Sequence, residues 1–192
     1  KASVVYQPIG VVGIISPWNF PINLTFAPLA GALAAGNRCM LKPSEHTPQT
    51  SELLERMVAA TFDQSEVAVC TGSAAVGAAF AALPFDHLLF TGSVAVGRRV
   101  MAAAAENLVP VTLELGGKCP VILGRSAGLK RAVDRILLAK LLNAGQICLA
   151  PDYVLLPREK IDEFIKLARK WVAHSYGAPH RSQDYTSIIN PQ

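Results

Sequence analysis

Cys148 and Glu114 are the residues whose types and spacing most directly offer chemistry. Cys148 closes the segment Asn143-Ala144-Gly145-Gln146-Ile147-Cys148, and Glu114 opens Glu114-Leu115-Gly116-Gly117-Lys118, 34 residues earlier. A thiolate nucleophile and a carboxylate general base make a workable pair, the first attacking an electrophilic carbon and the second activating water. Each also has a plainer explanation when read singly. A cysteine between Ile147 and Leu149 is an ordinary packing residue, and Glu114 with its glycines is an ordinary strand end. A third island, Pro17-Trp18-Asn19-Phe20-Pro21, offers Asn19 either as a turn residue shaped by its prolines or as a side-chain amide donor.

The second constellation is a glycine turn. Gly92-Ser93-Val94-Ala95-Val96-Gly97 follows the apolar run His87-Leu88-Leu89-Phe90 and opens a helical pattern, the context in which a backbone can approach a pyrophosphate. Its two glycines, Gly92 and Gly97, do not form the usual G-x-G-x-x-G, and a plain strand-to-helix connection explains them equally well. Lys42-Pro43-Ser44-Glu45 ends another strand upstream. A lysine and an acid at the carboxyl edge of a parallel sheet suit the two hydroxyls of a ribose, although the same residues also suit a loop that caps the next helix. An acid beside a ribose favours NAD over NADP, and Lys42 pulls the other way.

These residues need a frame, and the chain alternates strands with helices. Val11–Ile15, Cys39–Lys42, Val67–Cys70, His87–Phe90 and Val111–Glu114 read as strands. Between them lie helical stretches over 21–35, 48–60, 76–82 and 95–105, with Gly36-Asn37 stopping the first and Thr47-Pro48 starting the second. Such alternation predicts an α/β fold with a doubly wound parallel sheet, Rossmann-like, covered on both faces. After Gly116-Gly117 the pattern restarts, with strands at Val121–Leu123 and Tyr153–Leu156 and helices over 129–142 and 158–174. We therefore expect a cofactor domain over 1–118 and the start of a second α/β catalytic domain over 119–192. The tail from Tyr176 to Gln192 reads as loop.

Composition excludes several classes. Charged residues are 17% and apolar residues 51% of 192, which suits a folded core rather than a disordered chain. The net charge of +4 is dispersed, so no nucleic-acid partner is expected. Cys39, Cys70, Cys119 and Cys148 lack metal-ligand or CxxC spacing, and the four histidines are scattered, so we expect no metal site and a reducing, cytoplasmic setting. No segment is apolar and long enough to span a bilayer.

Taken in order, Pro17-Trp18-Asn19-Phe20-Pro21, Phe90-Thr91-Gly92-Ser93, Glu114-Leu115-Gly116-Gly117-Lys118 and Gly145-Gln146-Ile147-Cys148 resemble the aldehyde dehydrogenase superfamily. The resemblance implies oxidation of a small aldehyde to its carboxylic acid. Cys148 would form a thiohemiacetal, hydride would leave to a nicotinamide, and Glu114 would activate the water that cleaves the thioester. Asn19 and the Cys148 backbone N–H would hold the oxyanion. Lys42 and Glu45 would take the adenosine ribose and Ser93 the pyrophosphate, with Gly92, Gly97 and Trp18 also at the cofactor, which would be NAD or, less favoured by Glu45, NADP. Cys148-Leu149-Ala150-Pro151-Asp152-Tyr153 looks like the class 3 and fatty aldehyde dehydrogenase branch. Phe85–Ser93, Ala105–Leu108 and Asp184–Ile188 look most like bacterial coniferyl aldehyde dehydrogenases. Cys119 stands where the family more often has a small polar residue. Members are far longer and form homodimers, so the resemblance implies a fragment with little turnover of its own. Two other readings stay open: an acylating, thioester-forming dehydrogenase, which would not need Glu114, and a catalytically silent nucleotide-binding fragment.

Overall fold

The computed structural model describes residues 2–190, and the chain divides into two compact units, Lys1–Leu115 and Gly116–Gln192. In the first, five strands alternate with four helices: β1 (Val11–Ile15), α1 (Asn23–Ala34), β2 (Arg38–Lys42), α2 (Pro48–Thr61), β3 (Val67–Val69), α3 (Ala74–Ala81), β4 (His87–Gly92), α4 (Val94–Ala105) and β5 (Val111–Leu115). All pair in parallel, in the order β3-β2-β1-β4-β5. The chain winds outward from β1 to β3, then returns to the other side of β1 with β4. A parallel sheet wound in two directions opens a crevice at the carboxyl ends of the two strands where the direction reverses, here β1 and β4.

Side chains along the inner strands β1, β2 and β4 alternate between two cores, which is why those runs are largely apolar, whereas edge strand β5 exposes Thr112 and Glu114. Val12, Ile14, Cys39 and Leu41 point to a cluster closed by Leu29 of α1 and Val58 of α2. Leu88 and Phe90 point to the opposite cluster, closed by Phe80 of α3 and by Val100 and Ala104 of α4. Ile14, Leu41 and Leu88 are fully buried, so both faces carry weight.

Two local devices fix the strand entries. Gly36 adopts φ +84° as the helix α1 terminates, and the Asn37 side chain donates to the Ala32 carbonyl while accepting from Ile9 and Gly10 N–H. The Asp86 carboxylate accepts from Val11 N–H at 2.7 Å, tying β1 to the start of β4.

The second unit holds β6 (Cys119–Ile122) and β7 (Pro151–Leu155) as a parallel pair, helices α5 (Leu129–Leu141) and α6 (Ile161–Tyr176), a left-handed turn over Leu142–Gly145, and short 3-10 turns at Arg158–Lys160 and Pro179–Arg181. Its α6 starts three residues later than the sequence pattern suggests, because Arg158–Lys160 forms a separate tight turn. Part of the tail expected as loop is also ordered as a turn, and its residues 191 and 192 lie outside the described residues. The sequence reading puts the domain change after Lys118; the units divide at Leu115, with residues 116–118 connecting β5 to β6. Among the described residues no helix is long and apolar enough to cross a membrane.

Candidate functional site

A cleft of about 340 Å³ opens at the carboxyl edge of the five-stranded sheet, where the winding reverses. The loop after β1 supplies Trp18, the end of β2 supplies Lys42 and Glu45, and the end of β4 with the start of α4 supplies Phe90, Gly92 and Ser93. Five of the six expected cofactor residues therefore meet there. Gly97 does not line it. It is buried one turn into α4, where an added Cβ would lie 2.8 Å from Leu115 Cδ2 and 3.4 Å from the Phe90 ring. Its role is to let α4 lie close on β4 and β5.

Among the described residues, Lys42 is the largest fully buried side chain, at 2% exposure. Its ammonium donates to the Pro43 carbonyl at 2.7 Å and stands 3.7 Å from the half-exposed Glu45 carboxylate. A buried cation held by a carbonyl and an acid is fixed in direction, and both groups face the cleft. The loop between them and α2 is braced by Ser44, whose Oγ accepts from His46 N–H and whose carbonyl accepts from Ser51 Oγ at 2.9 Å. Thr47 holds the N-cap position but makes no side-chain cap; its hydroxyl donates toward the Ser44 carbonyl instead.

Ser93 caps α4 by accepting from Val96 N–H at 3.3 Å, which leaves its hydroxyl hydrogen to donate. The first turn of α4 presents the unpaired N–H groups that suit a phosphate. Beyond it, Ala78 and Ala81 of α3 face Val96 and Val100 of α4 across an apolar slot. The residues fit a dinucleotide: hydroxyl ligands at one end, anion donors in the middle and a slot for a flat heteroaromatic ring. Sequence reasoning missed His46, in the loop before α2, and Arg99, midway along α4, which also line the cleft, since exposed polar residues at such positions carry no distinguishing pattern.

Asn19 lies just past β1 and is half-buried, its Oδ1 accepting from Phe20 N–H at 3.1 Å, which aims the NH2 end as donor. The loop is anchored by a buried pair absent from the sequence reading: Thr25 Oγ1 donates to the Pro21 carbonyl at 2.6 Å and stands 2.6 Å from Ser16 Oγ. Glu114 is exposed on β5, paired in register with Thr91 at the carboxyl edge of the sheet.

Cys148 belongs to the second unit and is exposed. It follows a turn in which Asn143, Ala144 and Gly145 take φ of 49°, 54° and 75°. A left-handed alanine costs on the order of 1–2 kcal/mol, and such strain concentrates where a reacting group must be held out. Gln146 pays this back in hydrogen bonds: its Nε2 donates to the Asn143 and Ser187 carbonyls, and its Oε1 accepts from Ile189 N–H at 3.0 Å. Cys39, by contrast, is 3% exposed, and burial pushes its thiol up to about 11. Among the described residues no group of three or more His, Cys, Asp or Glu could hold a metal ion.

A model of the aldehyde dehydrogenase family matches residues 1–192. The coniferyl aldehyde dehydrogenase of Pseudomonas sp. (strain HR199 / DSM 7063) is 60% identical over 190 residues, which is 99% of this chain and 40% of the relative. Among solved structures, the substrate-bound state of Staphylococcus aureus AldH superposes with a TM-score of 0.90 at 45% identity, over 96% of this chain and 40% of that one. Aldehyde dehydrogenase C of Pseudomonas syringae, a mutant solved with NAD+ and octanal, gives 0.83 at 38% identity, over 88% of this chain and 36% of that one. The chain thus spans about 40% of the length of the curated relative it matches.

Proposed function

We propose, from the premise that this chain belongs to the aldehyde dehydrogenase family, that it carries the cofactor cleft and nucleophile of an enzyme oxidising an aromatic, coniferaldehyde-type aldehyde to its acid. The observation that carries this reading is the contrast between cysteines. Cys148 stands exposed after a strained turn, whereas a packing cysteine is buried like Cys39.

The residues divide the work. Cys148 Sγ forms a bond to the carbonyl carbon, and the carbonyl oxygen becomes an oxyanion that the Asn19 amide and the Cys148 backbone N–H stabilise. The hydride leaving this carbon would go to a nicotinamide dinucleotide, whose ribose hydroxyls Lys42 and Glu45 would hold and whose pyrophosphate Ser93 with the α4 N-terminus would hold. The resulting thioester is opened by water, whose proton Glu114 accepts. The C–S bond breaks, and the acid departs with Cys148 restored. Glu45 favours NAD, since an acid accepts from a 2′-hydroxyl and repels a 2′-phosphate.

The test is NAD reduction by the protein expressed from its complete reading frame, with coniferaldehyde, benzaldehyde and a medium-chain aliphatic aldehyde. The proposal expects coniferaldehyde to be the foremost substrate. Activity on aliphatic aldehydes alone would discard the aromatic assignment and keep the mechanism; no activity on any would discard both.

A further inference from the structure

The thiol of Cys119, the first residue of β6, donates to the backbone carbonyl of Cys148 at 3.4 Å. Both residues sit in the second unit, and both are free thiols. Gly117 borders the same contact: a Cβ there would lie 3.9 Å from Cys119 Sγ and 4.0 Å from the Cys148 oxygen. The Cys148 Cα is about 2.4 Å from its own carbonyl oxygen. The Cys119 sulfur therefore already lies within a side chain's reach of the Cys148 backbone. Cys148 is exposed, so its side chain can turn about the Cα–Cβ bond toward the Cys119 sulfur.

We propose that Cys119 and Cys148 form a reversible disulfide under peroxide, a modification site that sequesters the Cys148 thiol. The exposed Cys148 thiolate reacts first: its sulfur takes one oxygen from hydrogen peroxide, giving a sulfenic acid and hydroxide. Cys119 sulfur then attacks that sulfur, the S–O bond breaks, and the departing hydroxide takes the Cys119 proton to leave as water. Two thiols lose two electrons, which reduce one peroxide to two waters. A dithiol reductant reverses the step by thiol–disulfide exchange. The link protects Cys148 from the irreversible sulfinic acid that a lone exposed thiol reaches under the same oxidant. Loss of aldehyde oxidation on linking rests on the reading of Cys148 as nucleophile; the disulfide itself does not.

The experiment treats the protein from its complete reading frame, and its Cys119→Ser variant, with hydrogen peroxide. Peptide mass mapping and aldehyde oxidation are read before and after dithiothreitol. The expected result is a linked Cys119–Cys148 peptide pair and an activity loss of at least about tenfold that dithiothreitol restores. In Cys119→Ser the same loss should persist after reductant, with Cys148 recovered as sulfinic acid. Sulfinic acid at Cys148 in both proteins without a linked pair, or Cys148 linked elsewhere, would overturn the disulfide. A linked pair with undiminished aldehyde oxidation would uphold the disulfide and instead remove Cys148 from the mechanism.

Discussion

Substituting Gly92 by alanine should damage stability and cofactor binding together, through the ring of Phe90. A Cβ at Gly92 would lie 2.4 Å from Phe90 Cζ and 3.1 and 3.2 Å from the two Cε atoms. Carbon atoms rest at about 3.5 Å, so the ring must retreat by roughly 1 Å. It has little room, because Phe90 is 4% exposed and a Cβ at Gly97 would already stand 3.4 Å from its Cε1. Overpacking of this kind costs about 1–3 kcal/mol, offset by about 0.4–1 kcal/mol from the stiffer unfolded chain. At roughly 2–4 °C per kcal/mol for a chain of this size, the melting temperature should fall several degrees. Phe90 and Gly92 both line the cleft, so a cost of about 1.4 kcal/mol passed to the bound state weakens NAD about tenfold. Thermal melts and calorimetric NAD titrations of Gly92→Ala, Phe90→Leu and the double variant form a cycle. The double variant should be less impaired than the sum of the singles. Unchanged stability and affinity in Gly92→Ala, or strict additivity, would refute the steric argument.

Four other outcomes are expected. Asn19→Ala should lower turnover about 100- to 1000-fold with little change in NAD affinity, as loss of one oxyanion donor does; an unchanged kcat removes Asn19 from that role. Gly145→Ala should be destabilised in urea titration by at least about 1–2 kcal/mol, since φ is 75° there and a Cβ would meet the Lys140 carbonyl oxygen at 2.9 Å; wild-type stability contradicts it. Lys42→Gln should weaken NAD by roughly 10- to 100-fold, the worth of one or two charge-assisted hydrogen bonds, and equal affinity in calorimetry would remove Lys42 from the ribose. Cys39 gives a pH signature: its pKa is raised by burial from 9.0 to about 11, so its contribution to stability is complete below about pH 9 and lost as pH rises toward 11. Urea midpoints of Cys39→Ala should therefore decline less between pH 9 and 11 than those of wild type; parallel profiles contradict this.

The sheet was legible because its strands are short and punctuated and the inner ones are largely apolar. Val11–Ile15 carries no polar residue, and Gly36-Asn37 and Thr47-Pro48 mark helix ends by backbone chemistry that acts locally. The cleft was legible for the same reason, since residues following successive parallel strands must gather at one edge of the sheet. What the sequence hid depends on neighbours far along the chain. Gly97 reads like a phosphate-loop glycine, and its close packing over Leu115 and Phe90 shows only in three dimensions. Ser16 and Thr25 read as ordinary polar residues until burial pairs them. The left-handed Asn143 and Ala144 were invisible because neither residue type demands that conformation, and the tie from Gln146 to residues 187 and 189 crosses more than 40 residues. The contact between Cys119 and Cys148 likewise needs β6 and β7 side by side.

The division of labour between Cys148 and Glu114 is tested most directly by trapping. The protein from its complete reading frame, carrying Glu114→Gln, is mixed with NAD and coniferaldehyde, quenched in acid and mapped by peptide mass. With the base removed, the thioester should accumulate, so the feruloyl group should be found on Cys148 after a single burst of NADH. Absence of the acyl group from Cys148, or steady turnover undiminished in Glu114→Gln, would contradict the account.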